Sequence, residues 1–158
     1  MKTIVYRTLD KSTWNSGIWL DEPDKVQWED KATKFPCLAV RHRELGHWCG
    51  YVGVSEEHVL YGKEYSDEAF WELEVHGGVT YTDFCTKDGD PRTNICHIPD
   101  ESETDSIWWV GFDCAHAEDG NPIYKSFREY PYRTLQYVKD ECASLALQLK
   151  TYDNTRKT

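Results

Sequence analysis

Hydrophobic and polar positions alternate with a period of two along several short stretches of the chain, and with a helical period along one. Period two marks a strand with one buried face, because successive side chains point to opposite sides. Pro36 to His42 and His47 to Val54 read as a β-hairpin. Cys37, Ala39 and Arg41 alternate with Leu38, Val40 and His42, and Trp48, Gly50, Val52 and Val54 share a face of the return strand. The connection Arg43-Glu44-Leu45-Gly46 is short and contains Gly, as such hairpin loops do. Phe70 to His76 alternates again, with Trp71, Leu73 and Val75 opposite Glu72, Glu74 and His76. Gly77-Gly78 then predicts a tight hairpin turn, since Gly accepts positive φ, and Val79 to Phe84 is the returning strand. Thr93 to Ile98 predicts a short strand between two polar loops, Asp88-Gly89-Asp90-Pro91 and Asp100-Glu101-Ser102-Glu103.

The central apolar run covers residues 107 to 114 and ends in Asp113-Cys114-Ala115-His116-Ala117-Glu118-Asp119. As a strand it puts Trp108, Val110, Phe112 and Cys114 on a core face and Ile107, Trp109, Gly111 and Asp113 on the other. Two readings of that second face stand side by side. In one, a flat ring rests over Gly111 beside Trp109; in the other, the face is a second packing surface and Asp113 starts the turn.

The helical period belongs to the C-terminal segment, where Leu135, Val138, Cys142, Leu145 and Leu149 recur at steps of three and four. Pro131 suits the approach to its start, and Cys142 is expected to be a core thiol. Lys2 to Leu9 is a first strand or an N-terminal arm, and Asp153 to Thr158 is a polar tail expected to fray. The sum is an α+β fold: a mostly antiparallel sheet built from hairpins with one long C-terminal helix packed on it. Residues 1–158 are expected to form a single domain, with its core at about 36–150.

Composition narrows the function classes. Hydrophobic content of 39% with 28 acidic against 18 basic residues predicts a folded, acidic chain of net charge −10. Wrapping a nucleic-acid backbone needs a positive footprint, so no direct binding of that kind is expected. An acidic surface can instead meet a basic partner. Seven Trp and ten Tyr suit both cores and flat binding surfaces. Six cysteines, Cys37, Cys49, Cys85, Cys96, Cys114 and Cys142, form no CxxC pair, and the opening Met1-Lys2-Thr3-Ile4 turns polar at once. Free thiols, a cytoplasmic location and no membrane span are therefore expected. Asp21, Glu22 and Asp24 are close in a loop, but calcium-type loops need a longer pattern of oxygens, and a solvated loop is the expectation.

The candidate chemistry gathers where the 70–76 and 107–113 strands are expected to end, at His76-Gly77-Gly78 and at Asp113 with His116, joined by Thr80 and Asp119. Three chemistries fit. His76, His116, Asp113 and Asp119 are suitable donors for zinc, manganese or iron, although their spacing matches no metal motif. Cys114 with either His would make a hydrolase nucleophile, against which stands its place on the core face. The same His and Asp would serve as an acid–base pair or a polar pocket, with Gly77 and Gly78 amides open to an anion. Against all three, His116, Asp113 and Asp119 are equally able to do no more than satisfy the loop backbone.

Several of these stretches resemble a family of small proteins of tailed bacteriophages and bacterial genomes. The likeness rests on Cys49-Gly50-Tyr51-Val52-Gly53-Val54 followed by His58 and Tyr61-Gly62, and on His76-Gly77-Gly78-Val79-Thr80-Tyr81. It rests also on Trp108-Trp109-Val110-Gly111-Phe112-Asp113-Cys114-Ala115-His116 with Asp119, and on Tyr132-Arg133-Thr134-Leu135-Gln136-Tyr137-Val138. It covers about Pro36 to Leu149. The chain departs from the pattern at Glu118, where relatives have Gly, and at Ser55 and Val59, where they tend to have Pro. The resemblance brings no assigned reaction; it implies a bacterial cytoplasm during phage infection. The leading expectation is a His/Asp cleft that binds or hydrolyses a small polar ligand, with a nucleotide-like molecule favoured. His76 and His116 contact it, Asp113 orients one of them, Trp109 stacks on a ring, and Gly77, Gly78, Thr80, Cys114 and Asp119 line the cleft. The alternatives are an acidic protein that inhibits a basic host partner and a metal-dependent hydrolase.

Overall fold

The computed structural model describes residues 1–85, 89–103, 105–124 and 128–157. Asp88 of the first predicted polar loop and Thr158 of the predicted frayed tail lie outside the described residues. Six strands form one sheet: β1 (Ile4–Tyr6), β2 (Lys25–Glu29), β3 (Pro36–Arg41), β4 (Trp48–Val54), β5 (Tyr81–Phe84) and β6 (Trp108–Asp113). Their order is β1-β2-β3-β4-β6-β5, and every neighbouring pair is antiparallel. Helix α1 (Leu135–Arg156) packs across β4 and β3. The α+β architecture expected from the pattern is the one observed.

The helix side of the sheet is the main core. Ala39, Val52, Val110 and Phe112 face Val138, Cys142, Leu145 and Leu149 of α1, and all are buried. Burying a Val or Leu side chain contributes about 1.5–3 kcal/mol, so this seam anchors the fold. Thr134 caps α1 by accepting from the Tyr137 amide at 3.1 Å. The helix continues to Arg156, past the point where the polar tail was expected to fray.

The opposite face of the sheet buries Leu38, Val40, Tyr51, Ile107 and Trp109. The segment from Pro91 to Ile98 covers it without being a strand, contrary to the expectation for Thr93 to Ile98. Two buried side chains of β2 hold it down instead. Lys25 donates to Pro91 O, Asn94 Oδ1 and Cys96 O at 2.7, 3.1 and 2.8 Å. Gln27 accepts from Ile98 N at 2.8 Å and donates to Ile98 O at 3.2 Å. Cys85 and Cys96 are joined as a disulfide that closes the same segment, which corrects the expectation of six thiols.

The N-terminal residues contribute β1 and β2 to the sheet, which therefore begins before residue 36. Two of the three acids of the 21–24 loop are also accounted for, while Asp21 is exposed as expected. Glu22 and Asp24 pair with the buried guanidinium of Arg41 at 3.4 and 3.3 Å, and Glu22 accepts from the first amide of α1, Leu135 N, at 2.6 Å. Their oxygens meet internal donors, where a solvated loop was expected.

Residues 70–76 are not a strand. Asp67 caps a 3-10 helix (Glu68–Glu72) by accepting from Ala69 N at 2.9 Å. Three residues per turn buries Phe70 and Leu73 together and turns Trp71 outward, at 77% exposure. The period-two pattern of Trp71, Leu73 and Val75 is therefore not a buried face. The chain after this turn runs alongside α1 in the opposite direction. Glu72 pairs with Arg156 at 2.6 Å, the Glu74 backbone makes two 2.7 Å bonds with the Gln148 amide, and His76 N donates to Glu141 at 3.1 Å. Gly77 then reverses the strap into β5. Among the described residues no helix is long and apolar enough to cross a membrane.

Candidate functional site

The strap along α1 ends at His76, close to where β6 ends at Asp113, and the loop 113–119 folds between them. Two turns shape that loop. Asp113 Oδ1 accepts from Ala115 N at 3.0 Å, and Asp119 Oδ2 accepts from His116 N at 3.0 Å. Asp and Asn side chains stabilise such turns by binding backbone amides two or three residues away. The result is two His–Asp pairs side by side, with the His76 and His116 rings edge-on at 5.7 Å between centroids.

The first pair is largely but not fully buried. His76 Nε2 lies 2.8 Å from Asp119 Oδ2, and the side chains are 12% and 3% exposed. The other Asp119 oxygen accepts from Arg133 Nε at 2.9 Å. His76 Nδ1 meets the Tyr137 hydroxyl at 2.7 Å, and that hydroxyl lies 3.4 Å from Glu141 Oε1. Both imidazole nitrogens therefore have partners. Burial works to raise the Asp119 carboxyl pKa, but the hydrogen bonds from His76, Arg133 and the His116 amide outweigh it and hold the carboxyl below its ordinary value. The Arg133 guanidinium also lies over the Tyr137 ring, 4.9 Å from its centroid.

The second pair faces solvent. His116 Nε2 lies 3.4 Å from Asp113 Oδ1, with the side chains 39% and 32% exposed. Thr80 Oγ1 donates to the other Asp113 oxygen at 3.2 Å. His116 rests directly on Gly77, where a Cβ would overlap Nε2, and Gly77 has φ +69°. Gly at this position answers both demands, the left-handed backbone and the close approach of a ring.

His76, Gly77, Thr80, Asp113, His116 and Asp119 thus come together as the sequence predicts. Trp109, Cys114 and Gly78 do not join them. Trp109 is completely buried in the second core, where it touches His97, and the space over Gly111 is filled by the Tyr51 ring. The second face of β6 is a packing surface, and no ring can stack there. Cys114 points into the helix-side core, where burial raises its thiol pKa well above the ordinary range, so it is no nucleophile. The amide of Gly78 donates to Val75 O at 2.8 Å and is not free for an anion. Nor are the donors arranged for a metal: among the described residues no group of three or more His, Cys, Asp or Glu is placed to hold one. The lone pairs of His76 and Asp119 are spent on Tyr137, Arg133 and the His116 amide.

Arg133, Tyr137 and Glu141 are the members that the pattern of apolar residues does not single out. Their signal is present as polar groups at steps of four: Tyr137 and Glu141 share a face of α1, and Arg133 lies just before its Thr134 cap. Comparison with models of known families, with curated proteins and with solved structures finds no match.

Proposed function

We propose that this chain binds a small polar ligand at His116, and that Asp113 orients the imidazole for proton exchange with it. The carrying observation is the contrast in exposure between two adjacent His–Asp pairs, one 12% and 3% exposed, the other 39% and 32%. An imidazole beside a carboxylate, open to solvent on a braced backbone, suits general acid–base work or the holding of a hydroxyl or acidic group. In this reading His76 is a positioning residue: with Asp119, Arg133 and Tyr137 it fixes the loop that carries His116. With Trp109 buried, a nucleotide ring has no stacking partner there, so the ligand class is set by its polar group. The resemblance to tailed-phage proteins supports a ligand met in a bacterial host.

The test is a thermal-shift screen of inorganic phosphate, nucleoside monophosphates and small carboxylic acids. The expected result is that at least one compound raises the wild-type melting temperature and fails to do so with His116→Ala, whose own fold is retained. A compound that stabilises both proteins equally, or a screen without any shift, overturns the proposal.

A further inference from the structure

The acidity of the chain is concentrated. Residues 56–74 hold seven carboxylates (Glu56, Glu57, Glu64, Asp67, Glu68, Glu72 and Glu74) and one Lys, so −6 of the chain's −10 sits there. Six of the seven, all but Asp67, are exposed. This segment wraps the C-terminal half of α1, tied to it through His58 to Leu149 O, Val59 N to Asp153 and Glu72 to Arg156.

Beside that acidic rim the surface is apolar. Trp71 is 77% exposed and Leu147 of α1 is 57% exposed. The outward stripe of α1 through Ala143, Ser144, Leu147, Thr151 and Thr155 is exposed and carries no charge. A groove of about 340 Å³ runs between the 3-10 helix and α1, lined by Leu73, Leu147, Tyr152 and the Glu72–Arg156 pair. The Arg156 guanidinium lies over the Tyr152 ring at 3.5 Å while it pairs with Glu72 at 2.6 Å. The groove thus already shows how it receives a guanidinium: aromatic face below, carboxylate beside.

The geometry points to a docking surface for a basic protein segment, one that offers aliphatic side chains to Trp71 and Leu147 and Lys or Arg to the surrounding carboxylates. Exposed apolar side chains, a Trp among them, next to charged ones are the usual material of such an interface. The charge selects the occupant. A nucleic acid is repelled, and a second copy would set one net-acidic surface against another, since Lys150 and Arg156 of α1 offset only part of the −6. This surface is separate from the His116 site and stands or falls independently of it.

The probe is a synthetic amphipathic peptide of Leu and Lys, with a control in which every Lys is Glu, titrated calorimetrically. The Lys peptide is expected to bind the wild-type protein and to weaken at least about tenfold between ~50 and ~500 mM salt. Trp71→Ala should weaken it about tenfold or more, as removal of an interface Trp does. Glu64→Lys with Glu68→Lys should abolish it. Trp71→Ala should keep the wild-type unfolding midpoint, because the side chain is exposed. Unchanged affinity in Trp71→Ala, equal binding of the Glu peptide, or no binding would overturn the proposal. So would a wild-type dimer in sedimentation that Trp71→Ala dissolves, since that would assign the surface to a second copy.

Discussion

Two His–Asp pairs lie a few ångströms apart and differ in how fully their atoms are engaged. In the His76–Asp119 pair every strong hydrogen-bonding atom is engaged: Tyr137 on one imidazole nitrogen, Asp119 on the other, Arg133 and the His116 amide on the carboxylate. In the His116–Asp113 pair the contact is longer, 3.4 Å, and both side chains reach solvent. The same two residue types are fully engaged where little water reaches them and keep positions open to solvent where it does. The low local dielectric explains the difference. A buried unpaired imidazole or carboxylate is costly, so its partners are complete; at the surface water completes the shell and a ligand can replace it.

The largest effect should come from Asp119→Asn. The amide cannot accept from His76, Arg133 and His116 N together, and two of those donors are mostly buried. A loss of about 2–3 kcal/mol is expected in urea unfolding. The acid limb carries the same information. A carboxyl whose folded pKa lies below its unfolded value, 3.8, stabilises the fold in full above that value. The contribution is lost as pH falls through the folded value. The wild-type advantage over Asp119→Asn should therefore be constant at neutral pH and shrink below about pH 4. An advantage that grows on acidification would mean that Asp119 is not held ionised.

Gly77→Ala comes next and couples the two pairs. It costs about 1–2 kcal/mol through the left-handed backbone alone, and its Cβ displaces His116 from Asp113. Loss of stability together with a changed His116 proton resonance is expected. A stable variant with His116 undisturbed would show that the close contact with Gly77 does not position the ring.

Much of this arrangement is legible in the residue pattern, and the failures have physical causes. The β3–β4 hairpin and α1 each line the helix-side core with an apolar stripe, and β6 is an apolar run buried on both faces, so period and run length identify them. Asp113, His116, Thr80 and Asp119 meet because β5 and β6 pair antiparallel, so that β5 begins beside the end of β6. Lys25-Val26-Gln27-Trp28-Glu29 does not read as a strand facing a core, because three of its five side chains are long polar ones. Two of them, Lys25 and Gln27, are buried as clamps on the 91–98 segment, with the Lys25 pKa pulled down to about 8 by burial. The 3-10 helix at Glu68–Glu72 imitates a strand because Trp71, Leu73 and Val75 are apolar, yet a cap at Asp67 sets the local geometry and throws Trp71 out. Trp109 suggests a stacking platform by type, but His97 packs against it and the Tyr51 ring fills the space over Gly111. Burial, unlike period, depends on what covers a face, and the cover here is an irregular loop.

The smallest expected effect on stability is the sharpest test of the contrast. Asp113→Ala removes one turn bond to Ala115, one bond from Thr80 and the contact with His116, all at the surface. Solvent replaces such interactions well, and a change of about 0.5 kcal/mol is expected. Its effect on a ligand found for wild-type protein should be much larger, because the imidazole loses the carboxylate that fixes its orientation and the proton it presents. If Asp113→Ala instead destabilises the fold as much as Asp119→Asn, both carboxylates are props for the same loop, and the exposed pair has no claim to be the working one. If it leaves both stability and ligand affinity unchanged, His116 acts without its neighbour. The pairing seen at 3.4 Å would then be a contact of the resting protein alone.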